Sequence, residues 1–197
     1  SAPRVSQLPC GMNETSHLLI LYTSRDGNTE TMSRHVEEGA TTVSATEVRR
    51  LRTAQATVDD LVWAEGVACG SPTNMGILSW EMKRWWDEVA RDAWSQADGK
   101  IGCAFSSEGG LGGGAELACQ SLMTVMQNYG MLTFGVTDYV SEAFTLHYGS
   151  TIARQPREER DIASCRRLGR RLAEWVGLYF HGRRELDPLK ADYPRFP

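Results

Sequence analysis

The stretch from Leu18 to Glu30 constrains the fold more than any other part of the chain. It opens on an apolar run, Leu18-Leu19-Ile20-Leu21-Tyr22, of a length that suits a buried strand. Thr23-Ser24-Arg25-Asp26-Gly27-Asn28-Thr29 follows, dense in hydroxyls. Met32, Val36 and Ala40 then recur as one face of a helix. A strand, a hydroxyl-rich turn and a helix N-terminus together make a phosphate cradle. The first amides of a helix lack internal partners, and the helix dipole favours an anion there. Gly27 lets the backbone approach a ligand closely. The alternative is an ordinary strand-to-helix turn capped by Thr29.

Two other phosphate loops are excluded at this position. No Gly-x-x-x-x-Gly-Lys-Ser/Thr is present, so no lysine of that kind meets a triphosphate. No Gly-x-Gly-x-x-Gly follows the first strand, so the dinucleotide fingerprint is missing. A loop of hydroxyls and amides suits a single terminal phosphate.

The rest of the chain repeats the strand–helix alternation. Val43 to Val48 reads as a second strand, followed by Arg49, Arg50 and Arg52. Those arginines read as a solvated basic edge, with a nucleotide 2′-phosphate site as the alternative. A short helix capped by Asp59 is expected within Gln55 to Ala64. Gly66 to Gly70 forms a third strand, and Ser71-Pro72-Thr73-Asn74-Met75-Gly76 a stiff loop that presents amides and Asn74 to a planar ring. Ser79 caps a helix carrying Met82, Trp85, Trp86 and Val89 inward, with Trp80 and Trp94 near its ends. Lys100 to Ser107 is the fourth strand. The loop after it, Glu108-Gly109-Gly110-Leu111-Gly112-Gly113-Gly114, admits a close backbone approach or forms a lid. Ala118, Leu122, Val125 and Tyr129 mark the next helix, and Met131 to Val136 the fifth strand.

Residues 137–156 form a long connection that contains His147, a candidate substrate contact. The last helix turns Ile162, Cys165, Leu168, Leu172, Trp175 and Tyr179 inward. Arg166, Arg167, Arg170, Arg171 and Glu174 are expected to face solvent. The organisation is therefore a flexible extension at 1–16, one domain at 17–181 and a polar tail at 182–197. The expected architecture is α/β: a five-stranded parallel sheet of order 2-1-3-4-5 with helices on both faces. In that order ligands bind beyond the carboxyl ends of the strands, between the first and third. The loops after strands one, three and four meet there, which favours the cradle over the plain turn.

Composition narrows the partners. A net charge of −4 gives no reason to expect nucleic acid. No apolar run approaches the ~20 residues of a membrane span. Cys10, Cys69, Cys103, Cys119 and Cys165 contain no Cys-x-x-Cys pair, so no metal site is expected, and free thiols fit a cytoplasmic setting.

These motifs resemble a known family. Thr23 to Met32 is similar to the FMN-phosphate loop of flavodoxin-like proteins, and most similar to that of the WrbA family of NAD(P)H:quinone oxidoreductases. Gly70-Ser71-Pro72-Thr73-Asn74-Met75-Gly76, Phe105-Ser106-Ser107 with Gly112-Gly113-Gly114, and Tyr148 to Ala153 resemble its later signatures, so the resemblance runs from Leu18 to Val176. It implies a flavodoxin-like three-layer fold, FMN as cofactor and NAD(P)H as co-substrate. It also implies a quinone-like acceptor and a homo-dimer or homo-tetramer. Ser24, Arg25, Gly27, Asn28 and Thr29, with Asp26 among them, would hold the phosphate. Pro72, Thr73, Asn74, Met75 and Gly76 would border the flavin ring. Ser106, Ser107, Glu108, Gly109 and Gly110 would line the ribityl chain and ring edge.

Trp94 stands where the family has a tryptophan that reaches a neighbouring subunit's site. Tyr129 stands in place of one member of a His-His pair, and is the possible proton-handling residue beside the acceptor. Otherwise no catalytic side chain is expected, because the flavin carries the chemistry. The implied function is hydride transfer from NAD(P)H to FMN and two-electron reduction of a quinone-like acceptor. The alternatives are a flavodoxin-type single-electron carrier and an FMN-binding regulatory or stress protein with little turnover.

Overall fold

The computed structural model describes residues 15–189. Of the extension expected at 1–16, residues 1–14 lie outside the described residues and Ser16 already belongs to the first strand; of the tail expected at 182–197, residues 190–197 lie outside them. Strand β1 (Ser16–Tyr22) lies inside the sheet, one position from its edge. Its side chains alternate between two cores, as a pleated strand requires. Leu18, Ile20 and Tyr22 enter one, and Leu19 and Leu21 the other.

Helices α1 (Asn28–Thr41) and α5 (Glu159–His181) cover the first face. Helices α2 (Val58–Trp63), α3 (Trp80–Glu88) and α4 (Ala115–Asn128) cover the second. Trp85 and Trp86 are both buried there, with their rings edge to face.

Strands β2 (Thr46–Arg52) and β3 (Gly66–Asn74) flank β1 in parallel, and β5 (Ile101–Glu108) pairs in parallel with β3. The parallel order β2-β1-β3-β5-β6 ends on the short β6 (Leu132–Thr133). Counting only these five strands, this is the order expected, with helices on both faces.

The fifth position of the sheet differs from the sequence reading. β6 pairs with Ile101 and Gly102 only. The chain then leaves the sheet for an antiparallel hairpin, β7 (Val136–Ser141) and β8 (Phe144–Leu146). It returns as β9 (Ser150–Ala153), which completes the pairing along Phe105 to Glu108. One strand position is thus filled by two short pieces, and the expected loop at 137–156 is mostly strand. Another difference lies in β2, which runs through Arg49, Arg50 and Arg52 rather than ending before them. β2 is an edge strand, so it can be built from half-exposed charged residues. The short helix is capped by Thr57 and Asp60 in a reciprocal capping box, not by Asp59.

Helix α5 also departs from expectation. Arg171 and Glu174 are buried, and the Arg167 side chain is nearly so. Arg167 and Arg171 both reach Asp138 on β7, the latter at 2.8 Å. Tyr179, expected inward, is exposed. The inserted hairpin lies over the face of α5 that the periodicity assigned to water.

Cys69, Cys103, Cys119 and Cys165 are free and buried. Burial pushes the Cys69 and Cys165 thiols up to about 12 and raises those of Cys103 and Cys119 as well. A thiol that stays protonated in the fold but ionises in the unfolded chain favours unfolding once pH exceeds its unfolded value. Stability is therefore complete below about pH 8.5 and falls as pH rises through the range up to 12. With Cys10 replaced by serine, Ellman's reagent at pH 8 is expected to find no reactive thiol until denaturant is added. Fast labelling of the folded protein would contradict this burial.

Candidate functional site

Three loops meet beyond the carboxyl ends of β1, β3 and β5. A cavity of about 170 Å³ lies between them, lined by Ser24, Arg25, Asp26, Asn28, Thr29, Pro72, Thr73, Asn74, Ser107, Glu108 and Gly109. The structure thus gathers most of the expected cofactor residues around one cavity.

Gly27 caps α1 with φ 83°, a left-handed conformation that glycine adopts without strain. The plain-turn alternative gave this capping role to Thr29. Thr29 lies instead inside the helix, and its hydroxyl meets Ser107 at 2.8 Å. That bond ties the helix start to the end of β5. The Ser24 hydroxyl oxygen accepts the Glu30 amide at 3.3 Å. Its own proton is left to donate into the cavity.

Beneath the cavity runs a ladder of hydroxyls. Thr23 meets Ser79 at 3.0 Å, and the Ser79 amide donates to the Ser71 hydroxyl at 2.8 Å. Ser106 donates to the Ser71 carbonyl at 2.8 Å and meets Thr73 at 2.9 Å. The sequence reading assigned Ser79 only as a cap and Ser71 only as a loop residue. The density of hydroxyls between Ser71 and Ser79 was the available signal.

The loop expected to border a ring is a tight hairpin. Thr73 and Asn74 pair with Leu78 and Ile77 of β4 (Ile77–Leu78), and Met75 and Gly76 turn with φ 50° and 90°. Met75 is fully exposed at its tip. The glycine loop approaches this hairpin so closely that a Cβ on Gly114 would lie 3.3 Å from Gly76. Leu111 is 90% exposed on that loop.

Two helix N-termini point toward this region, and they are not equivalent. The buried Glu108 carboxylate accepts the Ala115 amide at 3.0 Å, so the start of α4 already holds a negative charge. Glu108 thus works as a helix cap, in addition to lining the cavity. The start of α1 is flanked by hydroxyls and carries no such carboxylate cap. An anion is therefore best accommodated at α1.

The arginines of β2 are engaged with carboxylates. Arg49 pairs with Asp60 at 2.9 Å, Arg50 with Glu37 at 2.7 Å, and Arg52 with Glu30. Arg52 holds the Glu30 carboxyl below its ordinary range. This arrangement fits the basic edge rather than a 2′-phosphate site.

The three expected substrate residues are not brought to the cavity. Tyr129 caps the far end of α4, buried, with its hydroxyl donating to the Trp86 carbonyl at 2.5 Å. Burial raises its phenol pKa. Trp94 packs against Tyr129 with ring centroids 4.7 Å apart, at the amino-end side of the sheet. His147 is exposed between β8 and β9, facing Tyr139. Within one chain, none of the three lines the cradle.

No family model matches the chain. Individual relatives do. The chain is 53% identical over 180 residues to a flavodoxin of Aquifex aeolicus, covering 91% of this chain and 97% of that one. It is 29% identical over 196 residues to an NAD(P)H dehydrogenase (quinone) of Chromohalobacter salexigens, covering 81% and 96%. An archaeal flavodoxin structure matches with a TM-score of 0.64 and 25% identity, over 81% of this chain and 98% of that one. A WrbA-like flavodoxin structure from Agrobacterium tumefaciens matches at 0.63 and 22%, over 82% and 98%, a likeness of fold. The cradle, the strand order and the 53% relative agree: the chain belongs to the flavodoxin family.

Proposed function

We propose that the chain binds FMN in this cradle and carries electrons one at a time to a protein partner. FMN, when bound, supplies reversible exchange of electrons or of a hydride. The donor set fits it. A single phosphate matches the α1 N-terminus, with the Ser24 hydroxyl and the first-turn amides as donors. The hairpin at Asn74–Met75 and the loop at Gly109–Gly110 would border the ring, with backbone amides available to a ring that gains negative charge. The ladder through Ser71, Ser79, Ser106 and Thr73 would hold that border in place.

The observation that carries the carrier reading is the exposure of Met75 and Leu111 on the two loops flanking the cavity. Large apolar side chains exposed beside a redox site suit contact with another protein surface. The relative named flavodoxin supports it.

The second reading is an NAD(P)H:quinone oxidoreductase that delivers two electrons to a quinone-like acceptor. It is supported by the relative of that name and by ring-bordering loops, 72–76 and 109–114, that bear no aromatic side chain. A ring without aromatic cover is open to a small second substrate. Homo-oligomerisation belongs to this reading, since Trp94 would have to come from a neighbouring copy.

Anaerobic stopped-flow of the FMN-loaded protein separates the two. Slow bleaching by NADPH and NADH, with two distinct one-electron stages on reductive titration, is expected of the carrier. Fast bleaching and reoxidation by benzoquinone would establish the oxidoreductase instead. The cradle has its own test. Ser24→Ala removes one donor to an anionic group, an interaction of about 1.5–3 kcal/mol. FMN affinity is expected to fall about 10- to 100-fold while riboflavin, which lacks the phosphate, is little affected. Equal losses for both ligands would place the phosphate elsewhere.

A further inference from the structure

Arg154 stands out among the residues that the proposed function does not use. It follows β9 directly, and its amide donates to the Glu108 carbonyl at 2.7 Å, extending the β5–β9 pairing by one step. Its φ is 66°, in the left-handed region. For a long side chain that conformation costs about 1–2 kcal/mol, and glycine or asparagine would adopt it more cheaply. Its side chain is exposed, so core packing does not explain why an arginine occupies the turn. The guanidinium Nε donates to the Gly109 carbonyl at 3.4 Å, and Gly109 lines the cradle. Among the described residues Arg154 forms no ion pair. Arg25, which lines the cavity, is tied to Asp26 at 3.2 Å.

We propose that Arg154 is a positioning residue that sets a fixed positive charge against the ring edge of the cofactor site. It thereby favours the reduced, more negative state of the bound flavin. The proposal rests on the assignment of FMN to the cradle, and holds for either electron-transfer reading. A strained backbone kept beside a binding loop is a common sign of such a role. A guanidinium is suited to it, since it stays charged at any working pH.

The test uses full-length protein loaded with FMN. Spectroelectrochemistry gives the midpoint potential, flavin fluorescence the FMN dissociation constant, and thermal melting the stability of the apoprotein. Arg154→Gln keeps a hydrogen-bond donor and removes the charge. Arg154→Lys keeps the charge. Arg154→Gly removes both and relieves the backbone. Gln and Gly are expected to shift the reduction equilibrium about tenfold toward the oxidised form, about 59 mV for one electron. Lys is expected to stay near wild type. Gly is expected to melt no lower than wild type. Adding salt is expected to shrink the difference between wild type and Gln.

A Gln variant with the wild-type potential, or a Lys variant that behaves as Gly does, would overturn the proposal. Either would leave Arg154 as a loop clamp. Failure of the wild type to bind FMN would instead remove the cofactor assignment, and Arg154's role with it.

Discussion

Replacing Gly169 with alanine is expected to cost about 3 kcal/mol of stability, the upper end of what overpacking a core does. For a chain of this size that is a fall of about 6–12 °C in Tm. Gly169 lies on α5 where it crosses α1, and the two helices approach until backbone meets backbone. A Cβ built on Gly169 would sit 1.9 Å from the Val36 carbonyl oxygen. On the facing helix, a Cβ on Gly39 would sit 1.9 Å from the Arg166 carbonyl oxygen. No rotamer relieves such a contact, because Cβ is fixed by its own backbone and the group it meets is a backbone carbonyl. The helices must move apart, loosening Val36, Ala40, Cys165 and Leu168 between them. Alanine favours a helix over glycine by about 1 kcal/mol, so the net loss measures the crossing rather than propensity. Gly109→Ala is the control, since nothing lies within 4 Å of its Cβ. Urea titrations of both variants decide the matter. A Gly169→Ala protein within 1 kcal/mol of wild type would mean that α1 and α5 do not approach as described.

That crossing also shows what the sequence could and could not convey. The period of Met32, Val36 and Ala40 placed α1 on the sheet, and the Leu18–Tyr22 run placed β1, because burial is a local demand written in residue type. Glycine inside a helix reads only as a weak helix former. Its reason, a neighbouring backbone, comes from residues more than a hundred positions away.

The cradle was legible because its signals are local: Gly27 at a helix start, hydroxyls around it, and glycines after β5. Tyr129 and Trp94 lie away from the cavity of their own chain for the opposite reason. Their residue types suit a site, but Tyr129 closes α4 and Trp94 follows the 3-10 turn Ala90–Ala93 after α3, and it is the starts of these helices, not their ends, that face the cavity. A helix that begins at the carboxyl edge of a parallel sheet finishes at the other edge.

The split fifth strand was missed because β6 and β9 are too short to carry a pattern. The buried charges of α5 were missed because an arginine on a polar stripe carries no mark of the hairpin that covers it.

Those buried charges give the second large effect. Asp138→Ala is expected to destabilise the fold by about 3–5 kcal/mol, the usual consequence of removing one partner from a buried ion pair. The Asp138 side chain reaches the Arg167 guanidinium, with Nε at 2.6 Å, and Arg171 at 2.8 Å, all three nearly shut off from water. Without it, the nearby carboxylate of Glu174, 3.6 Å from Arg167 and 3.5 Å from Arg171, must face both cations while it also takes the Arg170 Nε at 2.8 Å. Asp138→Asn keeps the shape and is expected to recover only a minor part of the loss, because a neutral amide oxygen does not replace the carboxylate's negative charge.

Hydrogen exchange locates the damage. The amides of β7 and β8 are expected to lose protection first, since Asp138 ties the hairpin to α5. Those of β1 and β3 lose it only with global unfolding. FMN affinity is expected to stay within about threefold of wild type, because the cradle is closed by Thr29–Ser107 and Thr73–Ser106, which involve no residue of the hairpin. A variant that keeps its stability would show the ion cluster to be dispensable. One that keeps the fold but loses FMN would show that the hairpin, through β9 and Arg154, holds the glycine loop as well.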